Sequence, residues 1–172
     1  MIENYFNYIR ILQKLRLTSN PTSKFDMKKT ILTIFMVLIS ISGLQAQEWQ
    51  TDFEEAKKIA STENKPIILV FQGSDWCAPC IKLDHEIWST EIFIEHSKNN
   101  FVMLQADFPK KKKNALSDAQ TEANAKLFEL YNKNGIFPFV VVLDETGKVL
   151  GQTGYKKTTP KEYIKELTAF IK

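Results

Sequence analysis

Ile67-Ile68-Leu69-Val70-Phe71-Gln72-Gly73-Ser74-Asp75-Trp76-Cys77-Ala78-Pro79-Cys80 decides how the rest of the chain reads. The apolar run Ile67 to Phe71 has no polar alternation, which predicts a strand covered on both faces. A short polar link, Gln72 to Asp75, comes next. Ile81, Leu83, Ile87 and Trp88 then recur at helical spacing, so a helix is expected from about Cys77–Pro79 to Trp88. Pro79 suits its first turn, where the missing N–H is not needed. The chain's only two cysteines, Cys77 and Cys80, sit in a C-x-x-C spacing at this passage from strand to helix. That is a setting for thiol redox chemistry. Cysteines three apart close a tiny loop, and crosslink stabilisation grows with loop length, so a structural staple is poorly served here.

Upstream, Phe53, Ala56, Ile59 and Ala60 predict one face of a helix that Asn64-Lys65-Pro66 stops. Further back, Met27-Lys28-Lys29 precedes an apolar stretch, Ile31 to Leu44, and then the small residue Ala46. This order of basic, apolar and small residues describes a secretory signal peptide over residues 27–46. The apolar run is about 14 residues, short of the ~20 that a spanning helix needs, which disfavours the alternative of a single-pass anchor. Residues 1–26 form an upstream extension that need not be translated if Met27 is the true start. The alternative is an amphipathic N-terminal segment carrying Tyr5, Phe6, Ile9, Leu12 and Leu15. The expected domain is therefore 47–172, periplasmic or secreted, where disulfides persist.

Downstream, Ser89 or Thr90 can cap a short helix through Ile92, Phe93 and Ile94. Phe101 to Phe108 reads as a second strand, followed by the basic loop Pro109 to Asn114. A lysine run such as Lys110–Lys113 is ordinarily a solvated loop; the sharper reading is a contact for an acidic partner or a membrane surface. Ser117-Asp118-Ala119-Gln120 is a capping box opening a helix, with Ala123, Leu127 and Leu130 along one side, widened by Phe128 and Tyr131. Asn134-Gly135 ends it. Phe139 to Leu143 is a third apolar strand, Asp144-Glu145-Thr146-Gly147 a hairpin turn, and Lys148 to Thr153 the returning strand. Thr159-Pro160-Lys161-Glu162 caps a last amphipathic helix through Tyr163, Ile164, Leu167, Phe170 and Ile171.

With the cysteine motif after the first central strand, this order resembles the thioredoxin superfamily over roughly Trp49 to Lys172. Gly73 to Cys80 is similar to the active-site segment of secreted thioredoxin-like proteins, and Ile136-Phe137-Pro138-Phe139 to the family's cis-proline loop. The resemblance implies an α/β thioredoxin fold, a central mixed β-sheet flanked by helices on both faces. It implies an exported thiol–disulfide oxidoreductase in which Cys77 is the nucleophile and Cys80 the resolving cysteine. Trp76, Ala78, Pro79, Phe137 and Pro138 are the expected substrate-binding residues. The alternatives are a core tryptophan at position 76 and an ordinary trans proline at 138. Cytosolic thioredoxins carry a buried aspartate six residues before the first cysteine; here that position is Phe71. Asp75, Asp84 and Glu86 are the candidate substitutes as proton acceptor for Cys80.

Thiolate is the attacking form, and the start of a helix favours it at Cys77. Exchange requires that sulfur to be reachable, with Cys80 beneath it. Ala78-Pro79 lacks the histidine or other cation of strongly oxidising relatives. A potential nearer about −270 mV than about −120 mV follows, the reductase side. The other readings are a disulfide oxidase or isomerase, and a non-catalytic binding module of the same fold. No cofactor is implied, because sulfur carries the electrons. The expected partners are protein disulfide substrates and a membrane-embedded thiol–disulfide electron donor, with the protein itself a monomer.

Composition excludes other classes. The 44% hydrophobic and 25% charged residues in 172 suit one globular domain with a proper core and argue against wholesale disorder. A net charge of +3 without aromatic–basic interleaving gives no basis for nucleic-acid binding. The two histidines, His85 and His96, are wrongly spaced to complete a zinc site with the cysteines.

Overall fold

The structure is a computed structural model that describes residues 47–171. The upstream extension and the signal peptide 27–46 lie outside the described residues. Four strands form one sheet: β1 (Ile67–Gln72), β2 (Val102–Asp107), β3 (Phe139–Leu143) and β4 (Val149–Gly154), in the order β2-β1-β3-β4. β1 runs parallel to β2 and antiparallel to β3, and β3 antiparallel to β4. The sheet is thus mixed, with β1 inside it, as its unbroken apolar run requires. Gln50 covers the outer edge of β2: its N–H donates to the Met103 carbonyl (2.8 Å), and its carbonyl accepts from Gln105 N–H (3.0 Å).

Alternate residues of β1 feed two cores. Ile67, Leu69 and Phe71 pack with Leu104, Val141 and Leu143 under α1 (Phe53–Glu63) and α4 (Asp118–Tyr131). Ile68 and Val70 pack with Met103, Val140 and Val142 under α3 (Glu91–Asn100) and α5 (Pro160–Ala169), which contribute Phe93, Tyr163 and Leu167. Each fully buried large side chain contributes about 1.5–3 kcal/mol. Helices therefore cover both faces. Among the described residues no helix is long and apolar enough to cross a membrane.

The helix after Cys77 begins as expected but changes pitch. α2 (Ala78–Leu83) is followed by one π-helical turn, Asp84–Trp88. That turn sets Ile87 and Trp88 into the core, with Trp88 edge-on to Trp49, Phe93 and Tyr163. Thr90 is the cap of α3, which continues past Ile94 to Asn100.

α4 corrects the expected stripe. Ala123 and Leu130 face solvent, Leu130 being 64% exposed, while Asn124 and Leu127 are buried and Phe128 and Tyr131 half-buried. The polar Asn124 occupies the inward position because it carries hydrogen bonds there, a burial that apolar periodicity does not register. Only half of the expected capping box forms: Ser117 Oγ accepts from Gln120 N–H (3.2 Å), but the Gln120 side chain donates to the Thr51 carbonyl and Asn124. The helix stops at Tyr131, before Asn134-Gly135. The hairpin turn is as expected: Gly147 has φ 92°, and a Cβ there would stand 3.0 Å from Phe53 and from the Tyr131 hydroxyl. Thr159 and Glu162 form a complete capping box at α5.

Candidate active site

β1 and β3 are paired so that Phe71 lies opposite Phe139. The segments just beyond them, Gln72-Gly73 and Phe137-Pro138, therefore meet at one end of the sheet. The first leads into the cysteines; the second contains a cis peptide bond between Phe137 and Pro138. The rings of Trp76 and Phe137 are 5.5 Å apart, which joins the two segments directly. The structure thus brings together the residues singled out in the sequence: Cys77, Cys80, Trp76, Ala78, Pro79, Phe137 and Pro138.

Cys77 and Cys80 form a disulfide. Cys77 is the N-cap of α2, with extended backbone, and its Sγ accepts from Cys80 N–H (3.3 Å). Ala78 and Pro79 occupy the exposed first turn. One of the free N–H groups at the helix start is thereby aimed at the Cys77 sulfur, where negative charge develops when the disulfide opens. The expected difference in access is not seen in this oxidised form: Cys77 is 4% and Cys80 3% exposed, so both are buried. The hydrogen bond separates the two sulfurs, because it falls on Cys77.

Trp76 is no core residue: it is 39% exposed. Its indole Nε1–H donates to the Phe108 carbonyl (2.7 Å), and Lys110 Nζ lies 3.8 Å from the centre of its ring. Gly73 makes room for it, because a Cβ at that position would fall 2.3 Å from Trp76 Cε2. Phe137 is half-buried in a set of rings with Trp76, Phe108 and Phe128, and Pro138 is buried. The aromatic set holds one wall of the site.

Each of the three carboxylates considered for Cys80 accepts hydrogen bonds from other groups. Asp75 accepts from Lys110 N–H (2.9 Å), Lys111 N–H (3.0 Å) and Asn114 Nδ2 (2.9 Å). The Lys110 N–H leads in holding its carboxyl below the usual aspartate range, with desolvation opposing. Asp84 accepts from the Ser89 hydroxyl (3.3 Å), and Glu86 from the Tyr155 hydroxyl (2.8 Å). The position six residues before Cys77 is filled by buried Phe71, whose ring meets Phe128 and Phe139.

Two buried asparagines on one side of the sheet support this end of the molecule, and sequence periodicity gave no sign of either. Asn132, just after α4, donates to the Ile136 carbonyl (2.9 Å) and accepts from Ile136 N–H (3.0 Å), fixing the residue before Phe137. Asn124 donates to the Asp107 carbonyl (2.8 Å). Asp107 in turn accepts from Ser74 N–H (2.8 Å) and the Ser74 hydroxyl (2.6 Å), which fixes the approach to Trp76 and Cys77. The one sequence signal was an asparagine at a helix end, shortly before a proline loop.

The comparisons with known proteins agree with this geometry. The model of a family described as thioredoxin-like matches residues 48–145. A Chlamydia pneumoniae protein named disulfide bond reductase DsbH is 31% identical over 125 residues, 73% of each chain. A solved structure named DsbH oxidoreductase superposes with a TM-score of 0.68 at 30% identity, over 74% of this chain and 85% of that one. The disulphide isomerase structure from Xylella fastidiosa Temecula1 shares the fold, with a TM-score of 0.52 at 20% identity over 69% of this chain and 88% of that one. The chain belongs to the thioredoxin-like family and is a thiol–disulfide oxidoreductase, with its C-x-x-C pair, Cys77 and Cys80, joined by a disulfide.

Proposed function

We propose that this protein works outside the cytoplasm as a reductase of protein disulfides. The observation that carries the exchange chemistry is the cap at Cys77, whose sulfur receives the Cys80 N–H, next to Trp76, whose ring meets Phe137 of the cis-Pro138 loop at 5.5 Å. The two sulfurs carry the electrons, and the proton that Cys80 loses ends on a client thiolate. The Cys77 thiolate attacks one sulfur of a client disulfide, forming a mixed disulfide and releasing the other client sulfur as thiolate. The Cys80 thiolate then attacks Cys77 Sγ. The second client thiolate leaves, the Cys77–Cys80 disulfide closes, and two electrons have passed to the client. Trp76, Ala78, Pro79 and Phe137 supply the apolar contact around the attacking sulfur. The backbone at Phe137-Pro138 pairs with an extended client segment in the manner of an added strand.

The direction is supported by the name of the DsbH relative and by Ala78-Pro79, which adds no cation to stabilise the thiolate further. A reductase outside the cytoplasm must be recharged, and a membrane-embedded thiol–disulfide donor fills that place. The signal peptide at 27–46 is the route of export, and the protein acts as a monomer.

The test is insulin reduction with dithiothreitol. Cys77→Ser abolishes it, and Cys80→Ser accumulates mixed disulfides with client proteins. Equilibration with glutathione gives a potential near about −270 mV; a value near about −120 mV overturns the reductase direction. Full activity in Cys77→Ser overturns the scheme. A mature protein that still carries residues 27–46 in the cytoplasm overturns export.

A further inference from the structure

The basic loop after β2 is tied to the active site in a way that leaves its charge unspent. Asp75 is the carboxylate nearest it in the hydrogen-bond network, and it binds the loop's backbone N–H groups and the Asn114 amide. Asp107, at the end of β2, is occupied by Ser74. None of Lys110 to Lys113 forms an ion pair among the described residues, although the Lys111 charge acts on Asp75. All four are exposed. The Lys110 ammonium lies over the ring of Trp76, the residue bonded to Cys77. Held by Asp75 on one side and Trp76 on the other, the loop presents a dense positive charge at the rim of the disulfide.

The geometry points to a specificity device: Lys110 to Lys113 select client proteins whose reactive cysteine is flanked by aspartate or glutamate. It rests on disulfide exchange at Cys77, but not on the direction of that exchange. Fixed like charges at the mouth of a site raise the encounter rate of an oppositely charged substrate about 10–10³-fold, and salt removes the gain. A protein segment is favoured over a membrane surface because Lys110 lies over Trp76, the residue bonded to Cys77. A client must approach there for sulfur to reach sulfur. Lys110 adds a contact of its own, since its ammonium on the Trp76 face couples the apolar wall to the charged rim. In each exchange one client disulfide becomes two thiols while the Cys77–Cys80 dithiol becomes a disulfide.

The experiment uses reduced protein and three peptide disulfides identical except for the residues beside the cysteine: Asp/Glu, Asn/Gln or Lys. Single-turnover rates are read at ~20 mM and ~0.5 M salt. The acidic peptide is expected to react about tenfold faster than the neutral one at low salt and within about twofold at high salt. The triple variant K111E/K112E/K113E abolishes or inverts that order. K161E/K165E, on α5, changes the net charge by −4 against −6 in the triple variant and keeps that order. Equal rates for acidic and neutral peptides in the native protein overturn the proposal, as does an order that survives in the triple variant.

If no peptide is reduced, the exchange reading fails on its own. The loop is then judged by the shift of the Trp76 indole N–H resonance of the oxidised protein on titration with a cysteine-free acidic peptide. A shift lost in the triple variant supports the recognition surface, and no shift overturns it. Binding to phosphatidylglycerol vesicles without peptide binding also overturns it, in favour of a membrane contact.

Discussion

Asn132 shows how much of the active site depends on a residue that never meets a client. Its amide bonds both the N–H and the carbonyl of Ile136, and it is buried. Asn132→Ala removes the partner of both groups; Ile136 is 48% exposed, so water can replace part of each bond, and about 0.5–1.5 kcal/mol is lost per bond. A loss of about 1–3 kcal/mol is expected in urea unfolding. A merely structural role ends there. A positioning role also raises the KM for insulin under conditions where the variant is fully folded, and leaves the alkylation rate of reduced Cys77 unchanged. Asn132→Asp keeps the acceptor and loses the donor, so it falls between the two. The cysteines, Trp76 and Pro138 were legible in the sequence because their spacing is set by chemistry at sulfur and by a turn of chain. Asn132 and Asn124 were not, because a polar side chain facing inward is chosen by the backbone groups it satisfies, those of Ile136 for one and of Asp107 for the other. Periodicity of apolar residues carries no record of them.

At the scale of elements, the strands were the easiest to read, since β1 and β3 are apolar without interruption and their ends are marked by Pro66 and Gly147. The stripe of α4 was displaced by one position once Asn124 turned inward, and the π-helical turn after α2 has no signature in the apolar spacing of Ile81, Leu83 and Ile87. The lysine run after β2 reads as a solvated loop or as a contact for an acidic partner or membrane surface; its four lysines are exposed, and its backbone is held by Asp75. That hold has a pH dependence. The folded-state pKa of Asp75 lies below the unfolded value, chiefly because of the Lys110 N–H. Its contribution is therefore present above the ordinary aspartate range and is lost as pH falls through the lower folded value. Below pH ~4 the amides of Lys110 and Lys111 are expected to lose protection from hydrogen exchange, and Trp76 fluorescence to change as Lys110 leaves its ring. In Asp75→Ala, which has no acceptor, the same amides exchange quickly at every pH. A loop equally protected on both sides of that range shows that the Asp75 bonds do not hold it.

At the scale of the whole molecule, redox direction and folding stability are one quantity. Folded and unfolded chain, each oxidised or reduced, form a closed cycle. The stability gained on forming the Cys77–Cys80 disulfide must then equal the difference between the potentials of the folded and unfolded pair, at about 1.4 kcal/mol per 30 mV. A pair that donates electrons readily is one whose disulfide the fold favours. A pair that takes them is one whose thiolate the fold favours instead. The cap at Cys77 works toward the second outcome, since its N–H stabilises charge on sulfur. It is a single bond with no added cation in Ala78-Pro79, and the nearby Asp75 and Lys110 are bound to each other's segments rather than to sulfur. The reductase reading therefore requires the oxidised protein to unfold at higher urea than the reduced protein. The offset must match the potential measured against the same chain in denaturant. Urea titrations of both forms at equal pH give the sign directly. A reduced form more stable than the oxidised one assigns the molecule to disulfide formation, whatever the names of its relatives.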